Sequence, residues 1–134
     1  MTLISTAAQN KSLANDYGAS KGPNAASAHK VRLYVGDPAA GGSELASTGG
    51  YTPPVLSNDG TGWPSTPSAG AITSAPVTFA TSTAAWASVP THFLLEDNTT
   101  GDAWDSGPLA NEIVVDQAGT VVTATLTVFY NSSF

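Results

Sequence analysis

TVVTATLTVFY, residues 120–130, carries the clearest secondary-structure pattern in the chain. Apolar side chains occupy every second position, and threonines fill most of the alternate positions. One face carries Val122, Ala124, Leu126, Val128 and Tyr130, and the other carries Val121, Thr123, Thr125, Thr127 and Phe129. A period of two is that of a β-strand, so the stretch predicts a strand with one face in a core.

Shorter stretches of similar character precede this strand and are separated by turns rich in Gly, Pro, Asn and Asp. They span residues 31–35, 51–56, 71–73, 76–80, 84–88, 90–96 and 112–116. Pro53 and Pro54 cannot donate to a β-ladder, which limits 51–56 to a sheet edge or a loop. Seven or eight short strands with such turns predict an all-β fold, an antiparallel β-sandwich of the jelly-roll or immunoglobulin-like type.

The stretch EDNTTGDAWD, residues 96–105, allows two interpretations. Asn98 and Gly101 favour a hairpin that pairs 93–97 with 102–106. Alternatively, the carboxylates of Asp97, Asp102 and Asp105 are the oxygen ligands that calcium prefers. The spacing is not that of an EF-hand loop, so the hairpin is favoured and no cofactor is expected other than this calcium ion.

VRLYVGDPAAGGSEL, residues 31–45, joins an alternating strand to a glycine-rich segment. A phosphate-binding loop needs its glycines at the start of a helix, normally with a lysine. No Lys or Arg follows Arg32 in the chain, and Asp37 would repel phosphate. Asp37 and Pro38 are turn residues, so the stretch predicts a corner.

Residues 1–29 lack the alternating pattern of a β-strand. Residues 2–17 predict a short helix ended by Gly18. Residues 18–29 are small and polar, which predicts an extended, flexible arm. The chain therefore divides into a helix and arm over 1–29 and a β-sandwich domain over 30–134. We expect the leader to attach the protein to a larger particle through apolar and basic side chains. These are Leu3, Ile4, Lys11, Leu13, Tyr17 and Lys21.

Composition excludes several classes of function. Charged residues make up 10% of the chain, and the formal net charge is −6. All four basic residues lie within the first 32 positions, so the remainder is acidic and would repel nucleic acid. No cysteine is present, which excludes disulfides and thiolate zinc sites. No apolar run is long enough to predict a membrane span.

No catalytic constellation is evident. His29 and His92 lack a metal-ligand spacing, and no GxSxG motif is present. With ten acidic residues, nothing singles out a pair for glycoside hydrolysis, so the chain is not expected to be an enzyme. Trp63 lies in a long loop and Trp104 in the acidic hairpin, and both are candidates for stacking on a host glycan.

The order of several motifs carries a resemblance to a known family. The motifs are Y-x-G-D-P at 34–38, GGY at 49–51, AIT followed by VTF at 71–79, and THFLLED followed by TGDAWDSGPL at 91–109. Their succession resembles that of small tailed-bacteriophage proteins of the tail fibre, minor tail or head fibre type. Thr52 follows Tyr51 where that family commonly has arginine, so a contact through that arginine is not expected.

The resemblance implies a structural protein of the virion, without catalytic residues. It would be a tail or fibre appendage subunit, or a capsid decoration protein, that binds other virion proteins and assembles as a homo-oligomer. The alternative is a carbohydrate-binding module that contacts host surface glycans through Trp63 or Trp104. A polysaccharide hydrolase is a third hypothesis, which no residue recommends.

Overall fold

The structure, a computed structural model, describes residues 5–130. Within this range the chain forms one α-helix and nine strands, and all strand pairs are antiparallel. The elements are α1 (Thr6–Asp16), β1 (Ala28–Val35), β2 (Ser43–Glu44), β3 (Val55–Ser57), β4 (Ala71–Thr73), β5 (Val77–Thr78), β6 (His92–Asp97), β7 (Ala103–Pro108), β8 (Thr123–Ala124) and β9 (Thr127–Phe129). The predicted mostly β fold with antiparallel sheets and a short N-terminal helix is confirmed.

The main sheet has the strand order β2-β1-β6-β7, and β3 pairs with another part of β1. Side chains alternate along β1, so that His29, Val31 and Leu33 are fully buried. Val31 and Leu33 were predicted on this face. Val35 was also predicted there, but it is 39% exposed because the strand ends at this residue.

The proline pair interrupts the sheet as expected, and a tyrosine fills the gap. The backbone N–H of Val31 bonds the carbonyl oxygen of Pro54 at 2.8 Å. The next inward N–H along this edge, that of Leu33, donates to the hydroxyl oxygen of Tyr51 at 2.8 Å. Both β3 and β2 pair with β1, and the Tyr51 hydroxyl takes the place of a backbone carbonyl in the gap between them.

The stretch after β1 turns a corner, as predicted. The Asp37 side chain accepts the N–H of Ala39 at 2.9 Å and starts a short 3-10 helix, Pro38–Ala40. Gly41 then takes the left-handed conformation, with φ 86°, in which glycine is favoured. The chain returns as β2 beside the end of β1.

The predicted hairpin is confirmed in β6 and β7. The N–H of Asp97 bonds the carbonyl oxygen of Asp102 at 2.8 Å, and residues 98–101 form the turn. The register shifts between Leu95 and Glu96, where β7 carries one extra residue, Trp104. This irregularity brings both Trp104 and Asp105 close to Tyr17.

Residues 71–82 pair with residues 120–129, and we call this pair the terminal ribbon. It contains the two short sheets β4-β9 and β5-β8. Around them the backbone N–H groups of Ser74 and Ser82 bond the carbonyl oxygens of Leu126 and Thr120. Relative to the partner segment 120–129, the segment 71–82 contains one extra residue at 75–76 and another at 80–81. These extra residues divide the ladder, whereas burial still alternates along 121–129 as predicted.

Two predicted strands are wrong, although Trp86, Ile113 and Val115 within them are buried. Residues 84–88 and 112–116 form no strand. A single backbone bond joins them, from the N–H of Trp86 to the carbonyl oxygen of Val115 at 2.9 Å. Trp86, predicted in the core, is 6% exposed. Both segments are therefore anchored by side-chain burial without regular pairing.

The N-terminal segment is packed on the β structure and does not form the predicted free arm. The Ser5 hydroxyl accepts the N–H of Ala8, which caps α1. Beyond the helix, the buried Asn58 side chain accepts the N–H of Gly18 and donates to the carbonyl oxygens of Asp16 and Ala26. These three bonds hold both ends of the segment 17–26 against the loop that follows β3.

Candidate functional site

Four rings from distant parts of the chain meet on the buried face of the main sheet, and we call them the aromatic cluster. Its members are Tyr17 after α1, His29 on β1, Trp63 in the loop after β3, and Trp104 on β7. The Tyr17 ring centroid lies 4.7 Å from that of Trp63 and 5.5 Å from that of His29. The His29 and Trp104 centroids are 5.7 Å apart. The cluster joins the N-terminal segment to both edges of the sheet.

His29 is the unusual member. Its ring is fully buried, and neither ring nitrogen has a hydrogen-bond partner within residues 5–130. Burial lowers the pKa of His29 to about 4, although the negative charge of Asp97 acts in the opposite direction. The imidazole is therefore neutral at pH 7. The indole N–H of Trp63 is likewise buried and unpartnered among the described residues.

Asp105 completes the cluster. The Tyr17 hydroxyl donates to Asp105 Oδ2 at 2.6 Å. Burial raises the pKa of Asp105, and the hydrogen bond from Tyr17 partly opposes that rise. Burial and the adjacent carboxylate together raise the pKa of Tyr17. The phenol therefore keeps its proton and serves as a fixed donor to a partly desolvated carboxylate.

The cluster has no access for a substrate in this conformation, because Tyr17, His29 and Trp63 are each at most 2% exposed. Trp63, predicted as an exposed glycan contact, is thus a core residue, and that prediction is wrong. Trp104 is only partly buried. It lines an open depression of about 260 Å³ whose other lining residues are Pro38, Ala39, Leu94, Ala103, Asp105 and Ser106.

The three candidate calcium ligands do not converge. Asp97 Oδ1 accepts the N–H groups of Thr99 and Thr100, and these bonds help to hold the pKa of Asp97 below its usual value. Asp105 points at Tyr17 instead. In residues 5–130 no three His, Cys, Asp or Glu side chains are grouped as a metal site would require. Asp97 therefore fastens the hairpin turn.

The predicted attachment residues separate into three groups. Leu13 and Tyr17 are 3% and 2% exposed and belong to the core, so their prediction as particle contacts is wrong. Lys11 is exposed and Lys21 is partly exposed. Leu3 and Ile4 lie outside the described residues. The core position of Leu13 and Tyr17 also means that the N-terminal helix is part of the packed structure.

Arg32 forms the main ionic network of the outer sheet face. Its Nε and Nη2 atoms bond both Glu96 oxygens, at 2.9 and 3.2 Å. Its Nη1 atom bonds Glu44, which also accepts the Tyr51 hydroxyl at 3.1 Å. Hydrogen bonds to both glutamates raise the pKa of Arg32. The guanidinium thus ties β2, β1 and β6 together across the face.

Sequence reasoning missed His29 as a cluster residue because it was assigned to the polar arm. The signal was present: His29 is two residues before Val31 and continues the same alternating face. Asn58 was missed because its bonds are to backbone groups far along the chain, at Asp16, Gly18 and Ala26. No local pattern reveals such a contact.

Comparison with known proteins leaves the family open. No family model, no curated protein and no solved structure matches the chain at a significant level. Among the described residues, no helix combines the length and the hydropathy needed to cross a bilayer.

Proposed function

We propose that the protein is a structural subunit of a tailed-phage virion, attached to the particle surface as an appendage or as a capsid decoration. The observation that carries this proposal is an exposed, uncharged face of the terminal ribbon. We call it the threonine face, and it consists of Val121, Thr123, Thr125, Thr127 and Phe129. Val121 is 59% and Phe129 60% exposed. The cores of protein–protein interfaces are depleted in charged residues and enriched in aromatic ones, and this face combines an absence of charge with the exposed ring of Phe129.

The fold we propose for this subunit is a β-sandwich, with the main sheet as one layer and the terminal ribbon as the other. One core cluster draws on both, with Val31, Leu33 and Phe93 from the sheet and Leu126 and Val128 from the ribbon. Shared burial of inward faces is what a sandwich requires.

The resemblance to tailed-phage proteins supports the proposal because its motif residues stabilise the fold. Asp37 starts the corner after β1. Tyr51, from the GGY motif, supplies a ladder acceptor to Leu33. Asp97 fastens the turn between β6 and β7. A family sharing these residues would share a scaffold and would not need a common active site.

Attachment to the particle is assigned to the N-terminal segment, through the side chains that remain available. Lys11 and Lys21 are the candidates within the described residues, and the predicted candidates Leu3 and Ile4 lie outside them. The test is immunogold electron microscopy of particles from the source lysate, using antibody to the purified chain. We expect regular labelling of heads or tails. Finding the protein only in the particle-free fraction would reject a virion role.

The attachment surface has a matched test. Purified Lys11→Glu/Lys21→Glu protein, added to particles stripped of the subunit, should rebind at least tenfold more weakly than wild type. Lys30→Glu, a charge reversal on β1, is the control and should rebind normally. Equal rebinding by all three proteins would remove the N-terminal segment from the interface.

A second candidate function is glycan binding at the depression lined by Trp104. A partly buried indole beside a carboxylate and the Ser106 hydroxyl offers both stacking and hydrogen bonding to a sugar. A glycan array probed with wild type and Trp104→Ala tests it, with and without a calcium chelator. Binding that is lost in the variant and resists chelation supports a calcium-independent site.

A further inference from the structure

The threonine face has a symmetric order of side chains. Its apolar residues, Val121 and Phe129, lie at the two ends, and three threonines lie between them with Thr125 at the centre. Along an extended chain the end residues are about 26 Å apart, at roughly 3.3 Å per residue. Reversing the direction of the strand therefore places an apolar end over an apolar end and threonine over threonine.

The segment that carries this face is continuous. The extra residues of the terminal ribbon lie in its other strand, at 75–76 and 80–81, so residues 121–129 keep their alternation. Val122, Leu126 and Val128 are buried, whereas Val121, Thr123, Thr125 and Phe129 are exposed. Four of the five face residues are therefore exposed on one side, whereas Thr127 is partly buried and its Oγ1 lies 3.3 Å from Oγ1 of Thr73.

The absence of charged residues on this face bears on which partner can bind it. Residues 60–91 and 117–130 contain no Lys, Arg, Asp or Glu, while the whole chain carries a formal charge of −6. Two copies of an acidic protein repel each other where their carboxylates meet, and the face itself brings no carboxylate to such a contact. The face is therefore suited to self-association of an acidic protein.

A groove beside the face gives room for a partner's side chains. It has a volume of about 270 Å³ and lies between residues 109–113 and the threonines of the face. Its one charged lining residue is Glu112, which is exposed. The apolar and hydroxyl groups of a second threonine face match the rest of this lining.

We propose that a second copy of this chain packs face to face on the threonine face, about a two-fold axis that passes by Thr125 and runs perpendicular to the strand. In this isologous contact Phe129 of each copy covers Val121 of its partner. The inference rests on the proposed assembly role for its purpose, and it names the surface of that homo-oligomer.

The register can be tested by a complementary pair of variants. Phe129→Asp and Val121→Lys should each weaken self-association at least tenfold, about 1.4 kcal/mol, in sedimentation equilibrium. A mixture of the two should form a heterodimer, because the carboxylate introduced in one chain would face the ammonium group introduced in the other. A mixture of Phe129→Asp with Val55→Lys, which alters an exposed valine of β3, should not.

A second measurement does not depend on a destabilised interface. Since the chain has no cysteine, Thr125→Cys provides a single thiol near the axis, and a short bismaleimide should link two copies efficiently. Val55→Cys is the control and should give little dimer. All variants are checked for wild-type thermal unfolding.

The outcomes separate this inference from the proposed function. A wild-type protein that sediments as a monomer at every concentration, or a dimer indifferent to Phe129→Asp, overturns the inference. Rescue by a mixture of Phe129→Asp and Phe129→Lys, without rescue by the mixture of Phe129→Asp and Val121→Lys, overturns the antiparallel register. A dimer that behaves as expected, together with particles free of the protein, leaves the inference intact and rejects the virion role.

Discussion

The hydroxyl of Tyr17 donates a 2.6 Å hydrogen bond to the Asp105 carboxylate, joining residues 88 positions apart. The bond connects the end of α1 to the edge strand β7. It also satisfies a carboxylate whose pKa is raised by burial. Closure of the N-terminal segment on the sheet and the ionisation of Asp105 are therefore linked.

Tyr17→Phe should destabilise the protein by about 1–3 kcal/mol at pH 7, because a buried carboxylate loses its donor. The loss should diminish as the pH falls and Asp105 takes up a proton, since the neutral acid is less costly to bury. Urea unfolding at several pH values measures this. Tyr34→Phe, a partly exposed tyrosine on β1, is the control and should change little. A pH-independent loss would contradict the link to Asp105.

His29 should make the protein less stable in acid. Its folded-state pKa of about 4 is below the unfolded value of 6.5, so the unfolded chain binds more protons between these limits. Stability is therefore lost as the pH falls from about 6.5 to 4, by up to about 3 kcal/mol. The other ionisable groups within or beside the cluster are Tyr17, Asp16, Asp97 and Asp105. Burial raises the pKa of Asp105, so its titration opposes this loss.

His29→Phe isolates that contribution, since it keeps an aromatic ring in the cluster but cannot take up a proton. The variant should show a flatter dependence of unfolding free energy on pH between 4 and 6.5. His92→Gln, at a partly exposed position of β6, is the control and should keep the wild-type slope. If His29→Phe also keeps that slope, the acid sensitivity arises from other groups.

The two buried serines of the terminal ribbon should be intolerant of substitution. Ser74 Oγ accepts the N–H of Leu126 at 3.0 Å, and Ser82 Oγ accepts that of Thr120 at 2.9 Å. Ser74→Ala and Ser82→Ala each leave a backbone N–H without its partner, which should cost about 1–3 kcal/mol. Ser43→Ala on the exposed β2 should stay within about 0.5 kcal/mol in the same denaturation assay. Three similar values would show that water replaces the serine hydroxyls.

The predictable features were those determined by neighbours in the sequence. The alternation in 121–129, the corner at Asp37 and the hairpin between β6 and β7 each depend on a local pattern or turn residue. The strand boundaries in the terminal ribbon could not be predicted from residues 120–130 alone. They are set by the extra residues at 75–76 and 80–81, which divide the ladder. Trp63 was misplaced since its burial depends on Tyr17, which is distant in the sequence.

The assignment of a free arm failed for a related reason. A small, polar segment without periodicity is typical of a linker, and nothing within it indicates attachment. Part of the attachment comes from Asn58, which is distant in the sequence and bonds backbone groups at both ends of the segment. The buried amide of Asn58, together with the core positions of Leu13 and Tyr17, thus makes the N-terminal segment part of the fold.

This role of Asn58 gives a direct prediction. Asn58→Ala should release the segment 17–26, because it removes the bonds to Gly18, Asp16 and Ala26. Lys21 lies within that segment, so cleavage after it by trypsin should become at least tenfold faster under native conditions, as local opening exposes the site. Asn111→Ala, an exposed amide, is the control and should be cut like wild type. If Asn58→Ala resists trypsin equally well, the burial of Tyr17 and Ala26 alone holds the segment in place.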